Sequence, residues 1–475
     1  MTNNNVKALK SGVWYTASSF LLRSIGFITT PIFTRLLTKA EFGAFNNYIS
    51  WLHIITIFVT FDLEATLISA RFDFSEKLDE YILSLLGLST LSAAIWLVIS
   101  NVFIGPISQF LALEPLYVNA LLVYLVFLPP IRMFQARERY RYEYKIMVAT
   151  SLVLAIGMAL LSVLLVLNMS NRLTGRIFGS VIPVVLMGFF FFVHFFRKGR
   201  KIDFRYWKYA LPICLPFIPH LLSMTLLHST DRVMITRWCG PEKTALYSLA
   251  YSCGAIVTIL LTSVNRAYGP WLGEKVTENK LAEVRKFSKI YISGFVFVAI
   301  GIMLVSPEIL LILGGERYRE AMYVMTPVSM GCVCQFLYTM FVNLEQLKKK
   351  TIGMAVASAI AAGVNFLLNW LFIPRIGYLA AAYTTLASYF VLLSMHMFLV
   401  YRLKLNNAYS YGFVMMTVLL GLVCMVLITL SFGHNILRGG IFVAYVGVFA
   451  CLIVKFRDRL SAVLARKRRA RGAQA

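Results

Sequence analysis

The feature that most constrains this chain is a succession of about fourteen apolar stretches, each of roughly 20 residues, from near residue 12 to near residue 455. That length crosses the roughly 30 Å hydrocarbon core of a bilayer as a helix. A helix satisfies its own backbone hydrogen bonds in lipid, so the stretches are read as helices. The expected spans cover residues 12–36, 42–66, 81–104, 115–135, 146–168, 174–196, 209–236, 243–266, 287–306, 322–343, 352–373, 378–400, 411–431 and 436–455. Composition agrees: 59% of residues are hydrophobic and 14% charged, where a soluble domain carries about 25% charged residues. The fold class is all-α and polytopic.

Orientation follows from the basic residues. With a cytoplasmic N-terminus and an even number of spans, roughly 34 of the 46 Lys and Arg fall on the inner side, and about 10 on the outer side. Both termini are then cytoplasmic. The net charge of +25 is mostly this asymmetry. The basic tail Arg466 to Arg471 reads as an anchor against anionic headgroups rather than a nucleic-acid patch. Trp14, Tyr15, Trp207, Tyr209, Trp238 and Trp271 stand at span ends, as an interfacial belt does. The first apolar run is too long for a cleaved signal peptide and is read as a span. The 7 cysteines have no metal-ligand spacing and are read as small apolar residues. No loop is long enough for a nucleotide-binding domain, and no cofactor is expected.

The chain repeats weakly. RLLTKAEFGAFNNYIS, from Arg35, aligns without gaps with RWCGPEKTALYSLAYS, from Arg237. NRLTG around Arg172 matches PRIGY around Arg375 at nearly the same offset. Each is the same kind of corner between an outgoing and a returning span. Two six-helix bundles are expected, 1–205 and 206–405, followed by 406–475 with two appended helices and the tail. Transporters built this way place the substrate between their halves. LPICLPFIP carries Pro212, Pro216 and Pro219 in the inner half of span 7. Each removes a backbone hydrogen bond, so this segment is a candidate hinge, with Pro31 of span 1 as a weaker counterpart; a static kink is the alternative.

PIFTRLLTKAEFG (from Pro31), DRVMITRWCGPEKTALYSLAY (from Asp231) and NFLLNWLFIPRIGYLAAAYTTLASY (from Asn365) resemble, in order, three segments of bacterial oligosaccharide flippases of the Wzx type. That family belongs to the multidrug/oligosaccharidyl-lipid/polysaccharide exporter superfamily. The resemblance implies translocation of undecaprenyl-pyrophosphate-linked oligosaccharide repeat units to the outer leaflet of the bacterial cytoplasmic membrane, for surface polysaccharide such as O-antigen. It implies membrane lipids, a polysaccharide polymerase and a chain-length regulator as partners, and no nucleic acid.

Charge inside the spans supplies the site candidates, because a central charge costs about 2.5–3.5 kcal/mol on insertion scales. Arg23 lies about 11 residues into span 1, roughly 16 Å deep. His53 in span 2 and His220 in span 7 fall at a similar level. Asn46, Asn47 and Ser252 lie nearer the outside. No acid is close to Arg23 in sequence, so a substrate pyrophosphate is its candidate counterion. Arg266, at the inner end of span 8, is a candidate for first capture of the same anion. Carbonyl capping, ordinary inner-side charge and satisfied interior histidines are the alternatives for these residues. In lipid II flippase relatives, arginines of helices 1 and 8 line the cavity, and Arg23 and Arg266 stand in the corresponding spans. Ser24 replaces an acid found in those relatives, which sets the ion-coupling scheme apart.

Asp62 and Glu64 are expected at the inner end of span 2, with Glu64 paired to basic inner-loop residues such as Arg71. Asp231 and Arg232 are expected as an ion pair near the outer gate. Asn365 and Asn369, one turn apart, are expected to bond helices together. The midplane histidines suggest coupling to H+ or Na+. Two rival functions are a multidrug/cation antiporter, which would carry midplane acids, and a polysaccharide polymerase or ligase, which would need a long catalytic outer loop. A scaffold for glycosyltransferases is a further role the sequence leaves open.

Overall fold

The computed structural model describes residues 25–141, 143–348, 351–405, 407–434 and 436–451, without the side chains at 255, 256, 259, 260, 263, 264, 266, 267 and 351. Everything regular in them is helical. Helix α1 covers 25–36 and α2 covers Lys39–Thr60. Short α3 (Leu67–Asp73) follows, then α4 (Leu78–Val102), short α5 (Ile104–Leu111), α6 (Pro115–Tyr140), α7 (Tyr144–Asn168) and α8 (Arg172–Gly199). The second half runs through α9 (Arg205–Cys214), α10 (Ile218–Cys239), α11 (Pro241–Thr277), α12 (Leu281–Leu304), α13 (Ser306–Gly314), α14 (Met322–Leu347), α15 (Thr351–Ile376), α16 (Leu379–Arg402) and α17 (Tyr411–Ser431). The last described helix is α18 (Ile436–Cys451).

Among the described residues, 11 helical stretches are long and apolar enough to cross a membrane. They fall on expected spans 2–7 and 9–13. The 37-residue α11 lies at span 8. The chain is a multi-pass membrane protein.

The helices gather into two hydrophobic cores. One is built from residues between Phe45 and Cys214, the other from residues between Leu227 and Phe432. Phe33, Leu37 and Phe42 belong to the second core, and Tyr206, Ala210 and Cys214 of α9 to the first. The chain therefore swaps short elements across the expected boundary at 205/206. Helix α17 joins the second core through Val414, Val418 and Met425. The stretch holding α14 is 89% buried and forms the axis of the second bundle, whereas α7 is 17% buried and faces lipid.

Local chemistry sets the helix ends. Thr38 and Glu41 form a reciprocal capping box that starts α2: the Thr38 amide donates to Glu41 Oε2 at 2.8 Å, and the Glu41 amide to Thr38 Oγ1 at 3.2 Å. At its far end α2 stops at Thr60, because Phe61 and Asp62 both take left-handed backbone conformations, with φ of 52° and 50°. Asp62 and Glu64 therefore lie in a tight turn rather than in span 2 as the sequence suggested. Span 7 is broken into α9 and α10 by the tight turn Leu215–Phe217. Pro212 is inside α9, Pro216 in the turn, and Pro219 in the first turn of α10. Pro31 sits inside α1.

Candidate functional site

The two bundles meet along α2, which packs on both α10 and α11. One end of this seam is closed. Gly43 of α2 lies so near the start of α11 that a Cβ there would overlap the Pro241 carbonyl oxygen. Side chains from each bundle cap helix C-termini of the other. Arg35 donates to the Ile312 carbonyl at 3.0 Å and Thr34 to the Leu313 carbonyl, in the last turn of α13. Arg317 donates to the Leu37 carbonyl at 2.8 Å, just past α1, and Arg172 reinforces that end through the Leu36 carbonyl at 2.8 Å. These are favourable places for cations, since a helix C-terminus carries partial negative charge and unsatisfied carbonyls. Arg176 of α8 is half-buried between the rings of Phe33 and Phe45, 3.8 and 4.2 Å from their centroids, and donates to Ser162 at 2.7 Å.

Away from the closed end the seam opens. His53 is exposed although it lies midway along α2, and Arg232 of α10 and Arg132 of α6 are both within electrostatic reach of it. This accessible part of the seam, called the cleft below, carries basic groups from both bundles. Its described acids are at the α2–α3 turn. Glu64 pairs with Arg132 at 2.9 Å. The partner is thus a basic residue of the inner segments, as expected, and is Arg132 rather than Arg71: α2 ends early, which turns Glu64 toward α6, while Arg71 stacks on Phe72 and Tyr140. Burial and the neighbouring Glu64 carboxyl push Asp62 up to about 6, against the pull of Arg132.

Helix α10 joins the cleft to a second polar cluster. Asp231 is completely buried and accepts hydrogen bonds from Tyr247 of α11, Asn369 of α15 at 2.6 Å and Thr385 of α16 at 2.8 Å. Asn369 also donates to Asn365 at 3.2 Å and accepts from Thr384. Asn365 donates to Thr385 at 3.2 Å. The asparagines thus bond α15 to α10 and α16, the helix-joining role expected of them. Arg232 points elsewhere. It donates to the His228 carbonyl at 2.7 Å and lies over the Tyr251 ring at 4.6 Å. The expected Asp231–Arg232 ion pair is not formed, because consecutive helical residues diverge by about 100°. His228 also meets Tyr389 at 3.2 Å.

Such a cluster suits a small hard cation or a proton. A carboxylate without solvent or a charged partner is costly to keep ionised. Its neighbours are two hydroxyls and the Asn369 amide N–H, all donating to the carboxylate; a hard cation would take the carboxylate and hydroxyl oxygens. No group of three His, Cys, Asp or Glu side chains sits together among the described residues.

Other expectations change. Asn47 is buried and donates to the Leu111 carbonyl at 2.9 Å; it caps α5 and is not open to a substrate. Asn46 and Ser252 bond to carbonyls of their own helices. His220 is half-buried with Nδ1 unpartnered, and no described contact joins it to His53. The histidine that approaches His53 is His228, two helical turns further along α10. Arg23 lies outside the described residues. Arg266 lies on α11 with its side chain outside them. Sequence reasoning missed Arg132, Arg176 and His228, which were assigned to loops or passed over. The cue for Arg176 was its place only a few residues inside span 6.

The described helices thus form two packed groups that meet along a seam closed at one end. The sequence family described as "Polysaccharide biosynthesis protein" matches residues 8–276, more than half of the chain, and the chain belongs to that family. A second family, MatE, matches residues 216–371. This agrees with the resemblance to Wzx-type flippases and places the chain in the multidrug/oligosaccharidyl-lipid/polysaccharide exporter superfamily. "Lsg locus putative protein 1" of Haemophilus influenzae is 23% identical over 350 residues, covering 71% of this chain and 84% of that protein. Among solved structures, "Lipid II flippase MurJ, inward closed conformation" superposes with a TM-score of 0.67 at 12% identity, covering 93% of this chain and 100% of the other. An inward-facing multidrug resistance MATE family transporter of the MOP superfamily gives a TM-score of 0.57 at 12% identity, covering 86% and 96%. At these identities the likeness is one of fold.

Proposed function

We propose that this protein flips a polyprenyl-pyrophosphate-linked oligosaccharide from the cytoplasmic to the outer leaflet of the bacterial inner membrane, for surface polysaccharide synthesis. The observation that carries the reading is the basic cleft between the bundles, where Arg132 of α6, paired with Glu64, and Arg232 of α10 both act electrostatically on the exposed His53 of α2. A guanidinium binds a phosphate through a charge-assisted, bidentate fork. The closed end is taken as the outer end, where the charge asymmetry puts the Arg35 and Arg237 corners. The headgroup enters from the cytoplasm and the prenyl tail stays in lipid. Arg23 and Arg266 remain proposed anion contacts on α1's side and on α11.

Coupling to H+ or Na+ is assigned to Asp231 rather than to the histidines. A cation taken up by its carboxylate changes the packing of α10 on α15 and α16, and α10 also carries Arg232. A rocking motion would bend span 7 where the turn Leu215–Phe217 already interrupts it. The multidrug/cation antiporter reading is less favoured, since the acid in mid-bundle is sequestered and the cleft itself is cationic.

The test is flipping of a labelled pyrophosphate-linked glycolipid in proteoliposomes. Wild type should flip it, and Arg232→Ala and Arg132→Ala should be slowed by about tenfold or more. Equal rates in all three would remove the cleft from the mechanism.

A further inference from the structure

At the end of the first bundle opposite the closed gate lies a cavity of about 370 Å³, outside the inter-bundle cleft. It is lined by Arg71 and Phe72 of α3, Ser75, and Arg137, Tyr140 and Arg141 at the end of α6. Arg71 lies over two rings, 4.3 Å from the Phe72 centroid and 4.8 Å from that of Tyr140. Stacking occupies only the faces of the guanidinium and leaves its N–H donors free in the plane. Arg71 Nε is buried without a hydrogen-bond partner. Among the described residues neither Arg71 nor Arg141 forms an ion pair.

Arg137 behaves differently. It is held by Asp79 at 2.8 Å and Glu138 at 2.7 Å, so its own charge is fully engaged. Nearby Asp73 is engaged by the Tyr209 hydroxyl at 2.5 Å. Among the described residues, the cations lining the cavity without a carboxylate partner are therefore Arg71 and Arg141.

Helix α3 fits the headgroup level. It buries Leu67 and Ala70 against the bundle, and exposes Ile68 and Phe72 one turn apart, by 56% and 70%. It lies between two spanning stretches, the earlier ending at Thr60 and the later starting at Ser75. A short element with an apolar outer face at the membrane boundary lies in the interface plane. We infer that this cavity binds the phosphate of an anionic phospholipid headgroup, with the Arg71 and Arg141 guanidiniums as its donors and the acyl chains lying against Ile68 and Phe72. Basic pockets between helix ends on the cytoplasmic side are places where anionic headgroups bind. The site is separate from the cleft, so it stands whether or not the chain flips a glycolipid.

The experiment is native mass spectrometry of the full chain in detergent, titrated with phosphatidylglycerol or phosphatidylcholine. Wild type should hold its tightest phosphatidylglycerol about thirtyfold more strongly than the Arg71→Gln/Arg141→Gln double variant, as two interfacial arginines imply. Ser75→Glu, which leaves both arginines in place and puts a carboxylate at an exposed position on the rim, should lower the affinity similarly. Phosphatidylcholine binding should be the same in all three, and the basic tail, common to them, cancels. The inference is overturned if the monodisperse double variant keeps the wild-type preference. It is equally overturned if inorganic phosphate at equal concentration displaces the lipid, which would make this a site for soluble phosphate.

Discussion

Asp231 and Arg232 are neighbours in the chain that serve different spaces: Asp231 is locked to Asn369 at 2.6 Å inside the second bundle, and Arg232 lies over the Tyr251 ring at 4.6 Å, within electrostatic reach of His53. One helix thus connects a buried carboxylate with the cationic surface proposed to hold the substrate. Asp231→Asn keeps the shape and removes the charge. It should leave the protein folded while transport loses its response to an imposed proton or sodium gradient. Flipping assays with each gradient applied separately check this. A variant that still responds to both moves coupling elsewhere.

The same cluster predicts a stability effect. Asn369→Ala withdraws one donor from a buried carboxylate and leaves Thr384 only the Ala381 carbonyl of its own helix as acceptor. The expected cost is about 1–3 kcal/mol, the range for a buried polar group left unpaired. Thermal unfolding in detergent should show a lowered midpoint. Exposed Asn101, whose amide bonds its own helix and Asn119, serves as the control and should tolerate alanine.

Asp62 gives a pH dependence. Its ordinary value is 3.8, and burial beside Glu64 raises it to about 6 in the folded protein. Between those values the native state binds more protons than the unfolded chain, so this group's contribution makes stability fall as pH rises through that window. Above about pH 6 the buried carboxylate is a standing cost, on the order of 1 kcal/mol once its partial exposure is discounted. Asp62→Asn should therefore be more stable than wild type at pH 7, and the advantage should shrink toward pH 4. Unfolding midpoints of both proteins across that range test the sign.

Much of the fold was legible because lipid leaves few options. Apolar length marks a spanning helix, and 11 such helices occupy expected positions. Side-chain direction was not legible to the same degree. Depth along a helix can be counted, but the face cannot be assigned without knowing the neighbours. That is why His220 was matched to His53 when His228 is the one that approaches it. Asn47 read as a polar lining residue because nothing in its own span reveals that α5 ends against it. Which inner basic residue Glu64 meets was not legible for a local reason: two consecutive left-handed residues at Phe61 and Asp62 end α2 before span 2 runs out, and neither is a glycine that would announce the turn.

The closed end makes the most specific prediction. Arg35 caps α13 of the second bundle, and Arg317 caps α1 of the first, so each bundle closes a helix end of the other. Both arginines use carbonyl acceptors rather than carboxylates, so opening the gate separates no ion pair but exposes two helix C-termini. Alanine at both positions should weaken the closed state by about tenfold, since each bond contributes about 1 kcal/mol or less at partly exposed sites. Gly43→Ala should act in the same direction by forcing α2 away from Pro241. Hydrogen–deuterium exchange should then rise in residues 34–43 and 312–318 and stay unchanged in the core of α14. Arg375→Ala, where the arginine bonds only the Leu371 carbonyl of its own helix at 2.8 Å, should leave exchange as in wild type. If Arg35→Ala/Arg317→Ala exchanges like wild type, packing of Gly43, Phe42 and Tyr318 alone holds the gate shut.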